Sequence, residues 1–137
     1  MKLITRDTDY AIRALVCIAA SGERIVTVEE LASKLSMPRP FLRKVLQVLN
    51  KSGILKSYKG KGGGFALGKP AEKVRIVDIM KIFQGPFSLN DHLLKKRKCP
   101  YMDVCRLKRK LDAIEEKLYA GLARISIDQL IMGQDDN

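Results

Sequence analysis

The chain has 137 residues, 26 of them Lys or Arg against 15 Asp or Glu, for a formal net charge of +11 and a pI near 9.8. That length supports one domain with an appended element, and a 46% hydrophobic content is enough for a core, which excludes a disordered chain. A membrane surface binder is disfavoured because there is no Trp and the basic residues are split between elements. The apolar run 11–20 is interrupted by Arg13 and is too short to span a bilayer. The expectation is a cytoplasmic protein, whose three cysteines stay reduced.

Residues 7–20 read as a helix with Tyr10, Ala14, Leu15, Ile18 and Ala19 on its core face and Asp7, Thr8 or Asp9 as the cap. Cys17 lies among Leu15, Val16 and Ile18 and reads as a small buried hydrophobe. Gly22 ends the helix, and Ile25 and Val26 form a short strand. Thr27-Val-Glu-Glu30 is a capping-box pattern opening a helix that buries Leu31, Ala32 and Leu35. Ser36-Met37-Pro38 is a tight turn.

The stretch from Pro38 to Ser52 reads as the next helix, with Pro38 and Pro40 at or before its first turn and Gly53 ending it. Phe41, Leu42, Val45, Leu46, Val48 and Leu49 form its apolar face. Arg39, Arg43, Lys44, Gln47 and Lys51 are left for the outer surface. Two short strands follow, Ile54 to Tyr58 and Phe65 to Leu67, joined by the Gly-rich loop Lys59-Gly-Lys-Gly-Gly-Gly64. A helix, a short turn and a basic helix followed by a β-ribbon is a winged helix-turn-helix layout.

Charge supports a polyanionic partner. Residues 1–38 carry five basic and five acidic groups, whereas 39–71 carry eight basic groups and no acid. Each Lys or Arg near a phosphate releases counterions, and both a helix and a β-ribbon fit a DNA major groove. The expected partner is double-stranded DNA, touched by Arg39, Pro40, Arg43, Lys44 and Gln47 of the helix and by Lys59, Lys61, Gly62 and Gly63 of the wing. A solvated charged face is the plainer alternative. The Gly-rich loop is not a P-loop, since no Gly-Lys-Ser/Thr ending follows and a strand comes next. With one histidine and no Ser/His/acid set, an enzyme is not expected.

Residues 76–83 form a short helix buried through Ile76, Ile79, Met80 and Phe83, closed by Gln84-Gly-Pro86. A basic loop leads to a long final helix. Leu107, Leu111, Ile114, Leu118, Leu122 and Ile125 recur at spacings of 4, 3, 4, 4 and 3, a helical stripe. A helix of that length ending a small domain is expected to pair with its copy through Leu111, Ile114, Leu118 and Leu122, giving a homodimer suited to paired half-sites. Packing on its own domain is the alternative. The expected organisation is a DNA-binding domain at 1–85, a sensor loop at 86–105, a dimerisation helix at 106–130 and a tail at 131–137.

Several segments together resemble the Rrf family of winged-helix bacterial transcription regulators, the IscR, NsrR and CymR group. They are Thr8-Asp-Tyr-Ala-Ile-Arg13, Lys51-Ser-Gly-Ile-Leu55, Lys59-Gly-Lys-Gly-Gly-Gly-Phe-Ala-Leu67, and Ile76-Val-Asp-Ile79 followed by Gly85. The resemblance runs from residue 3 to about 130. It implies a mostly α fold with a small β-wing and a homodimeric regulator. Many members sense iron–sulfur, redox or nitric oxide status through a cluster held by Cys-x5-Cys-x5-Cys. Here Cys99 and Cys105 match the last two positions, and the first, position 93, is Leu.

Eight Lys or Arg flank this cysteine pair between 95 and 110, against one Asp. Nearby cations favour thiolate, and thiolates bind iron–sulfur clusters. His92, the sole histidine, adjoins the missing cysteine position, and imidazole replaces thiolate in some clusters. In some relatives a carboxylate of the partner's first helix is a ligand; the matching residue is the partner subunit's Asp9. The expected set for a cluster, 4Fe–4S or 2Fe–2S, is therefore Cys99, Cys105, His92 and the partner subunit's Asp9. Other readings stay open. His92 is a solvated loop residue, Asp9 only a cap, the two cysteines a reversible disulfide, or Cys99-Pro100 a haem-regulatory dipeptide. A regulator with no cofactor, gated by a protein partner, also stays open.

Overall fold

The computed structural model describes residues 3–88 and 106–132. Its helices are α1 (Arg6–Ala20), α2 (Val28–Leu35), α3 (Arg39–Lys51), α4 (Ile76–Gln84) and α5 (Arg106–Ala123). Strands β1 (Leu55–Tyr58) and β2 (Gly64–Leu67) form an antiparallel hairpin in which Leu55 pairs with Leu67 and Tyr58 with Gly64. Single 3-10 turns lie at Ala71–Lys73 and Ile127–Leu130. The expected short strand reduces to one residue. Val26 bridges Phe65 through reciprocal N–H to O bonds of 2.8 Å, which fastens the wing to the segment before α2.

Helix starts follow side-chain chemistry. Thr27 Oγ1 accepts the Glu30 N–H at 3.1 Å, as expected, while the Glu30 carboxylate turns to Arg24 at 3.0 Å instead of closing the box. The cap of α1 is Thr5, not Asp7, Thr8 or Asp9: its Oγ1 accepts the Thr8 N–H at 3.4 Å and Thr8 is fully buried. Pro38 caps α3 in extended conformation, and Pro40 occupies the first turn, where a missing N–H leaves no broken bond. Gly53, just past α3, has φ of +84°, the left-handed conformation that turns the chain back toward β1.

The core lies where α1 crosses α3 and α4. Leu15 and Ile18 meet Leu31 of α2, Leu42, Leu46 and Leu49 of α3, and Ile79 of α4, all fully buried. Phe83 and Cys17 are half-buried on its rim. Gln84 closes the far end of α1: its Oε1 accepts the Thr5 N–H at 2.9 Å and its Nε2 donates to the Leu3 carbonyl at 3.1 Å.

The C-terminal stripe is divided. Helix α5 ends at Ala123 and does not run to 130. Helix α5 itself touches α4, and its Tyr119 meets Phe87 edge-on at 5.6 Å between ring centroids; beyond α5 the chain packs on the same domain. The Ile76 N–H donates to the Ile125 carbonyl at 3.0 Å, and the Ile127 N–H to the Val74 carbonyl at 2.9 Å. Arg75 Nη1 donates to the Ala123 carbonyl at 2.7 Å. Ile127 is fully buried beside α1, a gain of roughly 1.5–3 kcal/mol for a side chain of that size. Leu122 and Ile125 also pack on this core, so the stripe's last two residues serve the home domain. Along α5 itself no residue is buried; Ile114 is 54% and Leu107 66% exposed.

Candidate nucleic-acid interface

Helices α2 and α3 are joined by a turn in which Ser36 takes φ of +53° and the buried Met37 donates its N–H to the Ala32 carbonyl at 3.2 Å. The start of α3 is held from behind by α1. Tyr10 meets Phe41 edge-on with ring centroids 5.1 Å apart, and the Arg6 guanidinium sits 5.1 Å from the same ring. With its apolar face anchored, α3 leaves Arg39, Arg43, Lys44, Gln47 and Lys51 exposed, as the sequence pattern predicted, and Pro40 beside them.

The wing is built around close backbone approach. A Cβ at Gly63 would collide with the Tyr58 carbonyl oxygen, and one at Gly64 with the carbonyl of Val26. Gly62 adopts φ of +80°. These constraints explain the glycine run and bend the loop so that Lys59, Lys61 and Gly62 stand exposed.

Helix and wing enclose one groove of about 410 Å³. Of the residues expected at the interface, Arg43, Gln47, Lys59 and Gly63 line it together. Arg39, Pro40 and Lys44 lie outside this lining on the exposed face of α3, and Lys61 and Gly62 sit at the exposed loop. The other eight lining residues were not among the expected contacts: Val28 and Glu29 of α2, Asn50 of α3, and Ser57, Tyr58, Gly60, Gly64 and Phe65 of the wing. Tyr58, expected with the strand's apolar residues, is 44% exposed and faces the groove. Glu29 introduces a carboxylate 3.9 Å from Arg43 Nη2.

The residues expected to hold a cofactor are less fully placed. His92, Cys99 and Cys105 fall outside the described residues. Asp9 lies in the first turn of α1, with Oδ2 at 3.0 Å from Arg13 Nε and its side chain 44% exposed. Among the described residues, no three His, Cys, Asp or Glu side chains gather as a metal site. Among those same residues no helix is long and apolar enough to cross a membrane.

The Rrf2 family profile, described as iron-dependent transcriptional regulator, matches residues 4–133. The chain belongs to the Rrf2 family. It is 30% identical over 129 residues to protein aau3 of Rhizobium meliloti, covering 93% of this chain and 84% of that one. It is 29% identical over 137 residues to the HTH-type transcriptional regulator NsrR of Bacillus licheniformis, covering 98% and 95%. Its fold superposes on CymR, the global cysteine regulator of B. subtilis, with a TM-score of 0.80 at 22% identity, covering 98% of this chain and all of that one. This Rrf2 protein is thus a winged-helix, DNA-binding transcription regulator and not an enzyme.

For the wing lysines the expected result is general. Lys59→Ala or Lys61→Ala weakens binding to every duplex alike and flattens the log–log salt dependence by about 1 per half-site, the signature of one lost phosphate contact in each. Titration of one duplex at several salt concentrations measures this slope. An unchanged slope removes the lysine from the interface.

Proposed function

We propose that this protein is a cytoplasmic homodimer that reads a paired operator through the α3–wing groove and adjusts its DNA affinity through the 92–105 loop. The groove carries the reading: one concave surface brings Arg43 and Gln47, which can hydrogen-bond base edges, beside Lys59, which suits a phosphate. The dimer is supported by α5, 18 residues long with none buried. Leu107, Leu111, Ile114 and Leu118, large apolar residues of α5 outside the core, would pack against a second copy.

For the loop we take the family's iron dependence as a guide. Cys99, Cys105 and His92, with the partner subunit's Asp9, would hold an iron–sulfur cluster, whose loss or oxidation would alter the charge and order of the loop. The donor types fit: two thiolates among cations, an imidazole, and a carboxylate exposed on α1. Asp9 would exchange Arg13 for iron. Because α1 braces α3 through Tyr10 and Phe41, a ligand on α1 has a physical route to the DNA-reading face. A second reading rests on Leu93 at the first cysteine position: a Cys99–Cys105 thiol switch, or gating by a partner protein without any cofactor.

Anaerobic purification with iron and sulfide analysis, followed by DNA titration of the loaded and the stripped protein, tests the sensor. The expected results are bound iron and sulfide, affinities that differ between the two forms, and loss of the cluster in Cys99→Ala and in Cys105→Ala. His92→Cys is expected to retain or strengthen it, and Asp9→Ala to weaken it mildly. A colourless, metal-free protein supports the second reading. Equal affinities contradict the switch, and a full cluster in the double cysteine variant contradicts the site.

A further inference from the structure

Between residues 39 and 71 there is no acidic residue, yet the groove that these residues line contains a carboxylate. Glu29 comes from the first turn of α2, 14 residues before Arg43, and the helix–turn–helix connection brings its Oε1 to 3.9 Å from Arg43 Nη2. Both side chains are more than half exposed, 55% for Glu29 and 58% for Arg43. An exposed ion pair at this distance adds little to folding. A negative charge facing a polyanion also weakens every phosphate contact near it. A carboxylate in this place therefore calls for an account in terms of DNA.

We propose that Glu29 is a specificity-determining residue that works through Arg43. The inference rests on Arg43 being a base reader, as proposed above. On an arbitrary sequence, the easiest gain for Arg43 is a phosphate, which releases a counterion whatever the bases are. Swinging there brings the phosphate toward the Glu29 carboxylate and breaks the ion pair, so like charges meet. A guanine edge is different: it offers the neutral acceptors O6 and N7 to two guanidinium N–H groups. The carboxylate thus penalises the contact that carries no sequence information and spares the contact that does. Specificity is a difference between two affinities, and Glu29 widens it by lowering the non-specific one. Glu29 is accordingly a positioning residue for Arg43.

The test uses the full-length protein, the duplex that it enriches from a randomised pool, and a shuffled duplex of the same composition. Glu29→Gln keeps the shape and removes the charge. It is expected to tighten binding to the shuffled duplex and to steepen its salt slope by about 1 per half-site, as Arg43 takes up a phosphate. The ratio of selected to shuffled affinity is expected to fall about 2- to 5-fold per half-site, the scale of an exposed ion pair. Glu29→Asp, which keeps the charge, should restore most of that ratio. In an Arg43→Ala background, Glu29→Gln should leave the ratio unchanged, an outcome that a purely structural role of Glu29 would not produce. Three results overturn the inference: an unchanged ratio in Glu29→Gln, the same fall in the Arg43→Ala background, or a new base preference with no gain on shuffled DNA, which would make Glu29 a base contact itself. If Arg43→Ala alone leaves the ratio intact, Arg43 reads no base, and the proposed reading of the groove falls together with this one. An effective Arg43→Ala beside an inert Glu29→Gln overturns this inference alone.

Discussion

Leu118→Asp, like Leu111→Asp, is expected to give monomers that still fold but no longer hold a paired operator tightly. Both leucines lie on α5, where they are half-buried and belong to no fully buried layer of the home domain. Neither belongs to the buried core of the domain, on which Leu122, Ile125 and Ile127 anchor the C-terminal segment. An unpaired carboxylate between two apolar α5 stripes is costly, since burying a charge without a partner disfavours the association. Splitting the proposed dimer would remove the effective concentration by which the first bound half-site recruits the second, a loss of roughly 10²–10⁴ in apparent affinity. Light scattering reads the mass, and titration of a two-half-site duplex against a single half-site reads the affinity. A variant that remains dimeric places the interface elsewhere.

Arg43→Ala is expected to cost discrimination without flattening the salt dependence as a wing lysine does. A guanidinium that donates two hydrogen bonds to guanine contributes roughly 1–3 kcal/mol of preference at one base pair, and the proposed dimer would carry the contact twice. Arg43 is exposed, and its ion pair with Glu29 is at the outer limit of such contacts, so its loss leaves the core of α3 in place. Affinity for the selected duplex should therefore fall far more than affinity for a shuffled one, and the melting temperature should stay near that of the wild type.

Much of this architecture was legible because periodicity and turn chemistry agreed. The apolar face of α3 at i, i+3 and i+4, the Thr27 cap, Gly53 and the wing glycines each pointed to the element found. Helix α1 was misjudged at its cap, since three polar residues, Asp7, Thr8 and Asp9, competed there and Thr5 won by pairing with the buried Thr8. The end of α5 was overrun because Ile125 continues the stripe's spacing. Ser126 and Gln129 form a capping-box pair that marks a fresh start, with the Gln129 side chain accepting the Ser126 N–H at 3.2 Å. That pattern was readable. The meeting of Glu29 with Arg43 was not, because it depends on the turn that folds α2 back over α3. Tyr58 alternates toward the groove rather than the core, and a strand of four residues is too short for periodicity to decide.

The reading of DNA sequence by the α3–wing groove is tested most directly by measuring affinity for a panel of duplexes, each differing from the selected one by a single base pair, with the wild type and Arg43→Ala side by side. For the wild type, substitutions at two symmetry-related guanines should each cost roughly 1–3 kcal/mol. For Arg43→Ala the penalty at those two positions should vanish while penalties elsewhere persist. If the two proteins show the same profile, or if Arg43→Ala weakens every duplex equally, Arg43 touches only phosphate and the groove does not read sequence through it.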